Sequence, residues 1–147
     1  MNRPLYTTEI LRLATTISHH GAIENPQIVV ARRSPVCGSS ISVMLDIDAD
    51  GRVARFGQDV RACALGQASA ALLGAHVIGT SGAELGKVNA QLADYLSGTR
   101  TIAPEWPGLD IFESARPFTA RHASIRLPFE AAADAALQAQ HMLQRTV

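Results

Sequence analysis

The sequence predicts an α+β fold: a three-stranded antiparallel sheet with helices packed on one of its faces. Three observations carry this. Ile41, Val43, Leu45 and Ile47 alternate strictly with their neighbours, the period of a half-buried strand. Asp48 to Gly51 then supplies turn residues and Arg52 to Phe56 returns, which is the pattern of a hairpin. Beyond that hairpin the chain reads as helices, dense in Ala or spaced at i, i+3, i+4 and i+7.

Taken in order, Ile10, Leu13, Ala14 and Ile17 make one apolar helical stripe, with Thr7 or Thr8 as N-cap. His19, His20 and Gly21 end that helix, and Asn25-Pro26 marks a turn. Ile28, Val29 and Val30 are a β-branched run, the first strand. The hairpin strands follow. Ala62 to Leu73 reads as a helix whose many small residues allow close packing on the sheet. Ser81 and Glu84 stand in capping-box spacing and open a helix with Leu85, Val88, Leu92 and Leu96 on one face. Thr101 to Gly108, with two prolines, is a loop, and a short helix is expected near Ile111 to Ala115. Phe129, Ala132, Ala133, Ala136 and Leu137 form a final stripe, where Pro128 suits position N1 or else interrupts a helix begun earlier.

The chain has 147 residues, 47% hydrophobic and 18% charged. One domain over residues 1–147 with its own core is the expectation. Thirteen basic residues balance thirteen acidic ones, so nothing favours nucleic acid or an anionic membrane, which both attract a basic excess. The apolar stretch from Ala70 to Ile78 is too short to span a bilayer, and Glu9 and Arg12 interrupt any signal-peptide core. The expectation is a soluble cytoplasmic protein whose cysteines are kept reduced. Composition leaves self-association open.

Two motif-like stretches are read as structural, one as a hairpin turn and the other as a loop and a helix cap. Asp46, Asp48, Asp50 and Gly51 match the opening of a calcium loop, but the glutamate such a loop needs at its twelfth position is Gly57, and strands flank it. Gly79 to Lys87 lacks P-loop spacing and ends on Val88 where Ser or Thr is required. Cys37 is different. It lies in the loop from Arg33 to Ser40, beside Gly38, which lets the backbone turn tightly and leaves the sulfur accessible. Cys63 lies where strand gives way to helix, and unpaired amides and the helix dipole favour a sulfur anion there. Either cysteine taken alone is as readily a small buried hydrophobe.

Ser34-Pro35-Val36-Cys37-Gly38 resembles the Asn-Pro-x-Cys-Gly-Asp motif of the NifU/IscU/SufU-type iron–sulfur cluster assembly scaffolds. Arg61 to Ala70, with Cys63 before an Ala/Ser-rich run, resembles that family's Gly-Cys-Ala-Ile-Ser-x-Ala-Ser-Ala segment. The order of elements also agrees, so the resemblance covers about the whole chain. It implies a third ligand at the start of the last long helix. In the stretch Thr119 to Ile125, His122 matches the third cysteine and Arg121 the basic residue before it. Ser39 matches the family's aspartate, and the chaperone-recognition motif of the IscU branch is not seen, so the SufU or NifU-like branch is the closer likeness.

The resemblance implies a metal- and sulfur-handling site of Cys37, Cys63 and His122, with the two cysteines as sulfur acceptors. Its cargo would be a transient iron–sulfur cluster or, in the alternative, Zn²⁺, which two thiolates and an imidazole suit. The implied partners are a cysteine desulfurase and apo-proteins that receive the cluster. Ser39 is a poorer ligand than a carboxylate, so either cluster lability differs or the chain is a divergent member with reduced assembly competence. A zinc-bound sulfurtransferase that builds no cluster is the second reading, and a degenerate partner-binding member the third. Turnover of a substrate is not implied, and a Cys63–His122 hydrolytic dyad lacks an orienting carboxylate. His19, His20, His76 and His141 are read as surface or loop residues.

Overall fold

The computed structural model describes residues 5–35 and 38–145. Three strands, β1 (Ile28–Arg33), β2 (Ser40–Ile47) and β3 (Val53–Arg61), form one antiparallel sheet in the order β1-β2-β3. Ile41, Val43, Leu45 and Ile47 all point to the same face and are buried, as their alternation requires. Their cross-strand partners Val30, Phe56 and Val53 complete that apolar face. The β2–β3 turn is a hairpin. The Asp48 carboxylate accepts the backbone N–H groups of Asp50 (2.9 Å) and Arg52 (3.0 Å). Gly51 takes a φ of +79°, a conformation that favours glycine. Asp48 is thus committed to shaping a turn.

Helix α1 (Thr8–Ala14) is capped by the Thr7 hydroxyl, which accepts the Ile10 N–H at 3.2 Å. It stops earlier than the apolar stripe suggests. The Thr15 and Thr16 hydroxyls donate back to the carbonyls of Arg12 and Leu13 at 2.7 and 2.9 Å, offering the backbone an alternative to a further turn. The segment after α1 instead pairs with the outer edge of β3: the Gln58 N–H donates to the His19 carbonyl and the Gly21 N–H to the Gln58 carbonyl, at 3.0 and 2.8 Å. This covers an otherwise open sheet edge; β3 itself pairs with β2 as far as Arg61, beyond the expected end at Phe56.

Helices α2 (Ala64–His76) and α4 (His122–Arg145) lie against the sheet, with α1 on α2 and α3 (Gly82–Ser97) on α4. Nine of the residues of α2, from Leu65 to Gly74, are buried, which is why this helix is built from Ala, Gly and Ser. A Cβ at Gly74 would stand 2.7 Å from the Ser18 carbonyl oxygen. Helix α3 begins with the expected capping box: the Ser81 hydroxyl accepts from the Glu84 N–H, and Glu84 accepts from the Ser81 N–H, at 3.1 and 3.3 Å. The loop before α4 contains two 3-10 segments, Leu109–Ala115 and Thr119–Arg121. Trp106 anchors this loop. Its indole N–H donates to the Leu72 carbonyl at 2.8 Å and its ring meets Phe129 edge to face at 5.3 Å.

The last helix begins six residues before Pro128, so the proline is interior rather than at N1. It supplies no N–H to the Ser124 carbonyl. The arrangement is tolerated because α4 is held by tertiary packing along most of its length, from Ser124 to Ala139. Among the described residues no helix is long and apolar enough to cross a membrane.

Candidate metal and sulfur site

The site forms where the β1–β2 loop, the start of α2 and the start of α4 converge. The β1–β2 ladder continues into the loop, with the Ser34 N–H donating to the Ser39 carbonyl at 2.8 Å. Gly38, at φ +71°, donates to the Ser34 carbonyl at 3.1 Å. Val36 and Cys37 lie outside the described residues. Ser39, which precedes β2, is buried.

Cys63 is the N-cap of α2, in extended conformation, and its side chain caps no amide. Its sulfur is a half-buried free thiol. It faces α4 rather than its own helix: Sγ lies 3.3 Å from the Ser124 hydroxyl oxygen. That hydroxyl in turn lies 3.1 Å from the Ser39 hydroxyl. Ser124 is 0% and Ser39 3% exposed. A buried chain of two hydroxyls therefore runs from the β1–β2 loop to the cysteine sulfur.

Two small residues permit this approach. A Cβ at Gly66 would fall 2.8 Å from the Ser124 hydroxyl oxygen and 2.7 Å from the Ala62 Cβ, so only glycine lets α4 come this near. One turn further, the Ser69 hydroxyl donates to the Ile125 carbonyl at 2.6 Å. On the far side, Arg32 of β1 pairs with Asp134 of α4. Helix α4 is thus fixed near its start by Ser69 and at its middle by Arg32.

His122, the first residue of α4, is placed otherwise. Its Nε2 lies 2.9 Å from the Ala115 carbonyl and 3.1 Å from that of Arg116. Carbonyls only accept, so Nε2 carries the hydrogen, and in the neutral ring the lone pair sits on Nδ1. Positions 122 and 124 are about 200° apart around a helix. Ser124 takes the direction of Cys63, and His122 closes the 3-10 turns that precede the helix. Among the described residues, no three of His, Cys, Asp and Glu gather closely enough to hold a metal ion; Cys37 is not one of those residues.

Sequence reasoning named Ser39 but missed Ser124 and Gly66. Ser124 lay within the stretch singled out for His122, and the available signal was helical phase: one face of an α4 extended back to His122 runs through Ser124, Ile125 and Pro128. His19 and His76, read as surface or loop residues, are exposed, and their rings also sit edge-on to Phe56 and Trp106 with ring centroids 6.1 Å apart in each case.

This fold is shared with known proteins. The chain belongs to the family of NifU-like N-terminal domains, whose model matches residues 5–105; helix α4 lies beyond the matched stretch. Among solved structures it is similar to the N-terminal part of a nitrogen-fixing NifU-like protein from Brucella abortus, at 36% identity over 93% of this chain and 95% of that one, with a TM-score of 0.86. It also shares its fold with a protein from Fervidobacterium islandicum described as an iron–sulfur cluster assembly scaffold for the SUF system. The identity there is 19%, over 90% of this chain and 96% of that one, with a TM-score of 0.78. No curated protein matches.

Proposed function

We propose that the chain acts in iron–sulfur cluster assembly as a scaffold or accessory protein, and that it accepts persulfide sulfur from a cysteine desulfurase at Cys63 and Cys37. The observation that carries this is the Cys63 thiol, half-buried at the N-cap of α2 in a chain of the NifU-like family. In the transfer, the Cys63 sulfur anion attacks the outer sulfur of the donor's persulfide. The donor's S–S bond breaks, its cysteine leaves as a thiolate, and Cys63 carries the new persulfide. Iron held by the same sulfurs would complete a cluster, which is cargo for an apo-protein. His122 is the third ligand in this reading, through Nδ1, since its Nε2 lies on the Ala115 and Arg116 carbonyls.

The second reading, sulfur transfer without cluster building, draws on one feature of the site. The oxygens beside Cys63 are neutral hydroxyls bonded to each other, not carboxylates that would bind iron as anions. Metal and acid-labile sulfide content decides between the two. Protein purified anaerobically, before and after reconstitution with iron and sulfide, is compared with Cys37→Ala, Cys63→Ala and His122→Ala. Stoichiometric iron and sulfide, lost in the cysteine variants, supports the scaffold. Tight zinc that iron does not replace, with persulfide on one cysteine, supports transfer alone. If iron loading survives in His122→Ala, that residue is not a ligand. Wild type without metal, persulfide or sulfide sinks both readings.

A further inference from the structure

We infer that Ser124 and Ser39 are positioning residues for Cys63, holding its sulfur by a one-directional chain of hydroxyl hydrogen bonds. This rests on the reading of Cys63 as a sulfur acceptor. A sulfur that has lost its proton can only accept, so the Ser124 hydroxyl, 3.3 Å away, must donate to it. A hydroxyl has a single hydrogen. Ser124 therefore has none left for Ser39, and across the 3.1 Å between them Ser39 donates and Ser124 accepts. Both hydrogens point toward the sulfur, and bonds aligned in this way polarise one another.

The surroundings fit a positioning device. Ser124 is wholly buried, so its hydroxyl is shielded from competing water. Its backbone is held by the Ser69 donation to the Ile125 carbonyl. Gly66 leaves the space its oxygen occupies. The chain also gives Ser39 a role suited to its chemistry. At the position matched to a carboxylate, it supplies a hydrogen bond to the site through Ser124. When the Cys63 anion attacks a persulfide R–S–SH, the products are Cys63–S–SH and R–S⁻. The negative charge leaves Sγ with the departing thiolate, and no oxidant or additional proton is needed.

The test uses the full chain and glutathione persulfide, a small donor that needs no protein docking surface. Persulfide formed at Cys63 is followed in time and assigned by peptide mass, which separates it from Cys37. Ser124→Ala should slow reaction at Cys63 by about tenfold, the scale of one hydrogen bond to a charged group, and leave Cys37 unchanged. Ser39→Ala should slow it less. In this chain Ser39 reaches Cys63 through Ser124, so the double variant should react no more slowly than Ser124→Ala alone. A purely packing role predicts equal slowing at both cysteines, or additive losses. Wild-type rates at Cys63 in both single variants would overturn the inference. If Ser124→Ala does not fold, Ser39→Ala decides. Reaction with glutathione persulfide that depends on Ser124, without any transfer from a cysteine desulfurase, would uphold the positioning role and sink the proposed donor. No reaction at Cys63 in wild type would sink both.

Discussion

Gly66 provides space rather than conformational freedom: its role is to leave out a methyl group. Alanine there gains helix propensity, about 1 kcal/mol, but its Cβ would meet the Ser124 hydroxyl oxygen and the Ala62 Cβ at 2.8 and 2.7 Å. Overpacking of this kind costs about 1–3 kcal/mol. Gly66→Ala should therefore lower stability in urea unfolding, and it should separate Ser124 from Cys63. Trp106 shows the opposite dependence, on a group that is present. Trp106→Phe keeps most of the ring but removes the donor to the buried Leu72 carbonyl. The Leu72 carbonyl keeps its helical partner within α2, so the change should cost about 1 kcal/mol, the net worth of one hydrogen bond, measured by the same unfolding curve.

At the scale of elements, α3 is held at both ends by different chemistry. Its N-terminus depends on the capping box, so Ser81→Ala should cost about 1 kcal/mol in chemical denaturation. Its last turn depends on Tyr95, which is buried and lies under the Arg116 guanidinium, 4.2 Å from the ring centroid. The Arg116 side chain also donates to the Tyr95 and Arg100 carbonyls. Burial raises the tyrosine's pKa above its ordinary value of 10.0, although Arg116 opposes the shift. The sign follows from linkage. Unfolded tyrosine ionises first, so the stability contributed by neutral Tyr95 is whole below the ordinary value and is lost as pH rises above it. Stability measured across that range should fall more steeply in wild type than in Tyr95→Phe.

For the whole molecule, the site sits at the margin of the core. The largest fully buried side chains include Phe112, Phe129, Ile10, Leu65 and Leu73, and Cys63 is only half-buried beside them. A chain of 147 residues buries enough apolar surface to hold its fold by packing. Cys63→Ala should therefore shift the thermal midpoint by only a few degrees, about 1 kcal/mol or less, while abolishing persulfide formation at that position. A large loss of stability in this variant would mean that Cys63 is structural. The site can be altered with little effect on the fold because its three contributing segments are each anchored elsewhere: β2 in the sheet, α2 in the core, and α4 through Asp134 and Ile125.

The sequence by itself determined whatever depends on neighbours within about a turn or a hairpin. The alternation of β2, the Asp48–Gly51 turn, the Ser81–Glu84 cap, the small-residue character of α2 and the place of Cys63 at its start were all legible, and with them the α+β class. These are signals of period 2 or 3.6 and of local hydrogen bonding, which the chain carries without knowing its partners. Tertiary structure decided the rest. Strand β3 runs past Phe56 because β2 pairs with it as far as Arg61 and residues 19–21 pair with its other edge, and α4 passes through Pro128 because packing holds it. Ser124 meets Cys63 although 61 residues separate them, because Gly66 leaves room and the phase of α4 turns the hydroxyl, not His122, toward the sulfur. Such a meeting depends on the distance and rotation between two packed helices, quantities that no short window of sequence contains.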